Sequence, residues 1–243
     1  MKKANYNSKI LGGNTYLIYN FGNNDQLLFY ISRNYKEFEE LVYNHISLYF
    51  NVLAYCTLPK RYCFLVQIPE RVTYYVDPDD EEEINVYSVV LTDPVEIGDY
   101  FVKQFSRVLI SYSQKIKKQE KIKGSLFAKP YKRYLVDTSN LDLFIFYTHY
   151  LPERFQESED FRKYRYSLFR NIDNFGAVSV INKEIVLKYF DGTHIYIAKH
   201  EYHHFHRKDY LKLFKSIDGY NEVVIINSKR ESEALMAFYL FDF

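Results

Sequence analysis

The residues whose type and spacing could do chemistry fall in a few short stretches. His200, His203, His204 and His206 lie close together, and a helix would put His200 and His204 on one face, as in a metal-binding pair. No carboxylate joins them there, since Glu201 points elsewhere and Lys199, Arg207 and Lys208 surround the stretch with positive charge. The expectation is a basic surface helix able to touch phosphate, not a metal centre. Between residues 115 and 133, Lys115, Lys117, Lys118, Lys121, Lys123, Lys129, Lys132 and Arg133 are opposed by Glu120 alone, and Phe127, Tyr131 and a turn at Gly124 interleave with them. Such a strip neutralises phosphates and gives salt-dependent, largely sequence-independent binding to nucleic acid. The acidic run Asp77, Asp79, Asp80, Glu81, Glu82 and Glu83 sets its carboxylates side by side rather than converging, and reads as a solvated loop. Nucleophile-elbow, phosphate-loop and dinucleotide fingerprints are absent.

Composition narrows the classes. Of 243 residues, 47% are hydrophobic, enough for a real core of one generous domain or a domain with an appendage. The net charge of +1 leaves no global positive field, so a nucleic-acid footprint must come from local segregation of charge. The 26 Tyr and 20 Phe serve packing first, and also offer rings on which unpaired bases stack. Cys56 and Cys63 have no zinc spacing and imply a reducing, cytoplasmic setting. With no signal-peptide-like run and no apolar stretch of spanning length, neither secretion nor a membrane span is expected.

The elements that must position these residues emerge from periodicity. Residues 15 to 20 alternate as a strand, turn residues come next, and 27 to 31 read as a second short strand. A helix opens at Asn34 as N-cap, with Tyr35, Phe38, Leu41 and Val42 on its apolar stripe. Strands at 51 to 56 and 62 to 68 flank Leu58, Pro59, Lys60 and Arg61. A long helix spans 98 to 118, with Phe101, Phe105, Val108, Leu109, Tyr112 and Ile116 inward. A further helix runs from 139 to 150 and is cut short by Pro152. Beyond residue 172, helices at 178 to 190 and 195 to 214 and a last strand at 222 to 227 are expected. This order predicts an α+β fold, a mostly antiparallel sheet with helices packed on one face.

Several segments, in order, resemble the REP-associated tyrosine transposases, a single-tyrosine, HUH-type family, in its Bacteroidetes-like branch. Thr15 to Asn24 is similar to that family's opening; Tyr55, Cys56, Thr57, Leu58 and Pro59, with Phe64, Leu65 and Val66, resemble a central strand and the residues after it. Phe105, Ser106 and Arg107 with Tyr112, Ser113 and Gln114 resemble the long helix, and residues 124 to 133 the loop after it. The similarity runs from about residue 14 to 170, with a weaker echo at 186 to 192. It implies a ferredoxin-like, HUH-type domain over 1–172 and a C-terminal extension over 173–243.

In that family a His-hydrophobic-His pair on a strand binds a divalent metal, and a Tyr on a later helix attacks the DNA phosphate. Strand alternation points both imidazoles to one side, where the metal stabilises charge developing on the phosphoryl oxygens. Here the corresponding positions carry Arg61 and Cys63, Tyr147 occupies the nucleophile position, and Leu151 replaces an amide able to help ligate the metal. Arg61 repels a cation, and Cys63 suits only a soft one. The resemblance therefore implies a transposase-like protein with degenerate metal positions and no cofactor, binding structured single-stranded DNA or RNA such as hairpins. Binding would rest on Arg107, Lys115, Lys117, Lys118, Lys121, Lys123, Lys129, Tyr131, Lys132 and Arg133, with Tyr62, Tyr131 and Tyr147 as aromatic platforms over a sheet floor. The rival readings are an active or re-tooled nuclease or transposase using Tyr147 with Mg or Mn, and a co-opted protein-interaction module.

Overall fold

The computed structural model describes residues 9–76, 87–128, 130–167, 169, 172 and 179–217. The acidic run, Lys129 and the strand expected at 222 to 227 lie outside the described residues. Strands β1 (Thr15–Phe21), β2 (Asn51–Leu58), β3 (Arg61–Gln67) and β6 (Lys132–Val136) form one antiparallel sheet in the order β2-β3-β1-β6. Strands β4 (Val72–Val76) and β5 (Tyr87–Leu91) pair as a separate ribbon. The α+β class and the antiparallel sheet are as the sequence predicts.

Burial along β2 and β3 is continuous rather than alternating, so both faces of the central strands are covered. The expected helical layer is formed by α1 (Ser32–Val42) and α2 (Pro94–Glu120), whose Phe38 and Phe105 pack on Tyr62 and Phe64. On the opposite face α3 (Leu141–Arg154) packs against β2 and β3. Then α4 (Lys183–Tyr189) meets β2, α5 (Thr193–Phe205) packs on α3, and α6 (Leu211–Ile217) sets Phe214 against Tyr147 and Tyr150. The sheet is thus buried as a core layer and offers no open floor.

Several expected elements are corrected. Residues 27 to 31 form no strand; the amides of Leu28 and Phe29 donate to the Pro59 carbonyl, which pins the segment over the β2–β3 turn. Asn34 is not the N-cap but lies inside the first turn of α1, where its Oδ1 accepts from the amides of Tyr30 and Ile31. Helix α3 is not ended by Pro152 and continues to Arg154; so near the C-terminus the proline forfeits one backbone bond, and Phe155 still donates to Leu151. The stretch 178 to 190 is helical only from Lys183, capped by Asn182, whose Oδ1 accepts from Ile185. The single helix at 195 to 214 is two, because Arg207 donates to the His204 carbonyl and closes α5. Strand β6 was hidden within the basic segment, its charges tolerated because it is an edge strand.

Helix α2 begins before Gly98, at Pro94, because Asp93 caps it: Oδ1 accepts from Val95 at 2.8 Å and Glu96 at 3.0 Å. Gly98 is required by a close approach, since a Cβ there would lie 1.9 Å from the Ile10 carbonyl oxygen. Gly98→Ala is therefore expected to cost about 1–3 kcal/mol through forced backbone displacement, a loss of several degrees in a thermal melt. An unchanged melt would contradict the packing of residues 9–11 on α2.

Candidate nucleic-acid interface

The positions matched to the family's metal and nucleophile meet at one place. Arg61 and Cys63, two apart on β3, share a face, and with Tyr147, Leu151 and Phe155 they line a cavity of about 20 Å³. That volume admits roughly one water. Tyr147 is 3% exposed, its ring 4.9 Å from that of Phe214, and the Arg61 guanidinium lies 3.5 Å from the centre of the Phe155 ring. The Tyr147 ring is thus packed into the core, with little free volume beside it.

The same residues do not fit a hard divalent cation. Arg61 is cationic, Leu151 apolar, and Cys63 faces Cys56 across the strands, where burial and the neighbouring thiol push the Cys56 pKa well up. Among the described residues no group of three or more His, Cys, Asp or Glu is disposed to hold a metal.

A second, larger concavity lies on the other side of the sheet. One stripe of α2, Ser106, Leu109, Ile110, Ser113, Gln114 and Lys117, recurs at helical spacing and forms one wall. The other wall is the loop carrying Gly124, Ser125, Phe127, Ala128, Pro130 and Tyr131, and the groove between them measures about 590 Å³. That loop is strapped to the end of β1. Asn20 Nδ2 donates to the Ala128 carbonyl at 2.8 Å, Ala128 donates to the Phe21 carbonyl at 2.9 Å, and Gln26 Nε2 donates to the carbonyls of Ser125 and Leu126. Gly124, at φ +90°, supplies the left-handed turn that brings the loop back across α2.

No protein-family model matches the chain, and neither does any curated protein. One solved structure is similar, described as the structure of a REP-associated tyrosine transposase bound to a REP hairpin. Its TM-score is 0.44 at 12% sequence identity, covering 74% of this chain and 90% of that one. The likeness is distant.

The basic residues are distributed around the groove. Lys117 lines it; Arg107, Lys118, Lys121 and Lys123 are exposed beside it, and Arg133 is half-buried on β6 facing α2, whereas Lys132, paired with Tyr19, points to the opposite face of the sheet. Lys115 is drawn aside, its Nζ 2.7 Å from Glu37 Oε1. Of the expected platforms, Tyr62 at 1% exposure and Tyr147 are core residues and cannot stack on a base; Tyr131 is half-buried with its ring in the groove wall. Ser106, Ser113, Gln114 and Ser125 were not foreseen, although their spacing along the outer face of α2 and at the loop was readable.

The histidine stretch is not a basic surface helix. His200 and His203 are buried against α3, which supplies the missing acidic partners: Asp142 Oδ2 is 3.2 Å from His203 Nε2, and Glu153 Oε1 is 2.8 Å from His204 Nε2. His200 Nδ1 sits 2.8 Å from the Tyr196 carbonyl, which assigns the proton to that nitrogen, so Nε2 accepts from His149 Nδ1 at 3.0 Å. Burial holds both imidazoles neutral, with His149 well below the usual range and His200 lowered to about 3. Asp142, despite burial, is held at about 2 by His203 and Lys199.

Proposed function

We propose that this chain binds structured single-stranded nucleic acid, DNA or RNA, and does not cleave it. The observation that carries the reading is the groove of about 590 Å³ between α2 and the 124–131 loop, with Lys117 in its wall and Arg107, Lys118, Lys121, Lys123 and Arg133 near it. Exposed cations supply phosphate attraction, and hydroxyl, amide and aromatic groups in the groove supply contacts for bases. The groove lies on the α2 side of the sheet, away from the small cavity at Tyr147, so binding there does not use that cavity. No divalent ion enters this reading, because Arg61, Cys63 and Leu151 offer it no hard ligand. Among the described residues no helix is long and apolar enough to cross a membrane.

The test is equilibrium binding of hairpin DNA and RNA to the full chain over a salt series. Affinity that falls steeply with salt supports the reading. No binding even at low salt overturns it and favours the protein-interaction module instead.

A further inference from the structure

Among the described residues Arg133 is a cation without a carboxylate partner. No Asp or Glu forms an ion pair with it, although it is half-buried. Its Nε and the Tyr131 hydroxyl are both buried without a well-formed hydrogen bond, and the guanidinium stands against that hydroxyl, offsetting part of the rise that burial gives its pKa. Desolvating a charge and leaving it without a counterion costs stability, and proteins keep such groups chiefly where something else completes them.

Its location says what could complete it. Arg133 pairs in register with Ile18, and strand alternation places it with Tyr131 on the face covered by α2. The guanidinium carbon is 5.7 Å from the centre of the Tyr131 ring, which lines the groove and packs edge-on against Phe105 at 5.2 Å. Arg133 therefore stands next to the Tyr131 wall on the Phe105 side, although it does not itself line the groove. Lys117 stands at the end beside Gly124 and Ser125. From Ser106 to Lys117 the helix rises roughly 16 Å.

Resting on the nucleic-acid reading above, we propose that the groove is a register for one unpaired strand. One phosphate sits at Arg133 and a second at Lys117. The bases between them lie along Tyr131, Leu109 and Ile110, with Ser106, Ser113 and Gln114 at their edges. A groove of this volume takes ligands of small-molecule cross-section and does not take a duplex. Because Arg133 is partly desolvated, its contact is screened less by salt than those of the exposed Lys118, Lys121 and Lys123.

The experiment measures binding of a short oligothymidylate, a hairpin and a blunt duplex to the full chain and three variants at physiological salt. Arg133→Gln is expected to weaken the oligothymidylate by about tenfold or more, about 1.4 kcal/mol. Lys121→Gln is expected to weaken it by about threefold or less, as befits an exposed cation. Ser113→Trp, which fills the groove without changing charge, should weaken the oligothymidylate as Arg133→Gln does, so the idea stays testable if Arg133→Gln folds poorly. Relief of an uncompensated charge also predicts that Arg133→Gln melts no lower than the parent. Oligothymidylate affinity unchanged by both Arg133→Gln and Ser113→Trp would overturn the register while leaving salt-sensitive hairpin binding intact. An unaltered chain that binds no nucleic acid would overturn both readings.

Discussion

Acidification from pH 7 to pH 4.5 is expected to remove a large part of the folding free energy, with the His149–His200 pair as the main cause. Both imidazoles are buried and neutral in the fold, and in the unfolded chain each takes a proton near pH 6.5. Their folded pKa values are depressed, so unfolding takes up protons below about 6.5 and stability falls with pH from there, for His200 down to about 3. For His200 the slope is roughly 1.4 kcal/mol per pH unit, or roughly 2.5 kcal/mol by pH 4.5, and His149 adds in the same direction. That is a large fraction of the stability of many domains. Asp142, held at about 2, keeps its contribution through this window and loses it only in stronger acid. Glu39, raised by burial, acts in the opposite sense. Denaturant unfolding at pH 7, 6, 5 and 4.5 checks the slope. The double variant His149→Phe, His200→Gln should flatten it, and an equal slope in parent and variant would refute the assignment.

Raising salt from about 50 to 200 mM is expected to weaken hairpin binding by about a hundredfold, if about five phosphates of a single strand are neutralised along the groove rim. The exposed Arg107, Lys118, Lys121 and Lys123 carry most of this dependence, because their contacts are fully screened. Replacing Lys118, Lys121 and Lys123 together with Gln should reduce the slope of log affinity against log salt by about 2. Affinity that is flat across the same series would show that charge neutralisation does not drive association.

The sheet was legible where side-chain periodicity is strong. Strand β1 can be read from alternation, β2 and β3 from runs of apolar residues on either side of a turn, and the inner face of α2 from the spacing of Phe101, Phe105, Val108 and Tyr112. Strand β6 was not legible, because Lys132 and Arg133 read as part of a charged loop and only pairing with β1 makes them a strand. The candidate site was half-legible. The strip of lysines is plain in the chain, but the groove needs the loop strapped back by Asn20 and Gln26, contacts across about a hundred residues. The burial of Tyr147 depends on α6, and that of His200 on α3, so neither shows in local spacing. Asp142 and Glu153 complete the histidines from another helix, which is why the stretch looked unpartnered on its own.

The central claim is that the chain holds nucleic acid without cutting it, and a denaturing gel tests this most directly. Hairpin DNA is incubated with the parent and with Tyr147→Phe, with and without Mg or Mn. The predicted result is intact oligonucleotide and no covalent species in any lane, with equal native-gel binding by both proteins. A metal-dependent adduct that forms with the parent and disappears in Tyr147→Phe would mean that the cavity at Arg61, Cys63 and Tyr147 opens to a working site, and would contradict the account.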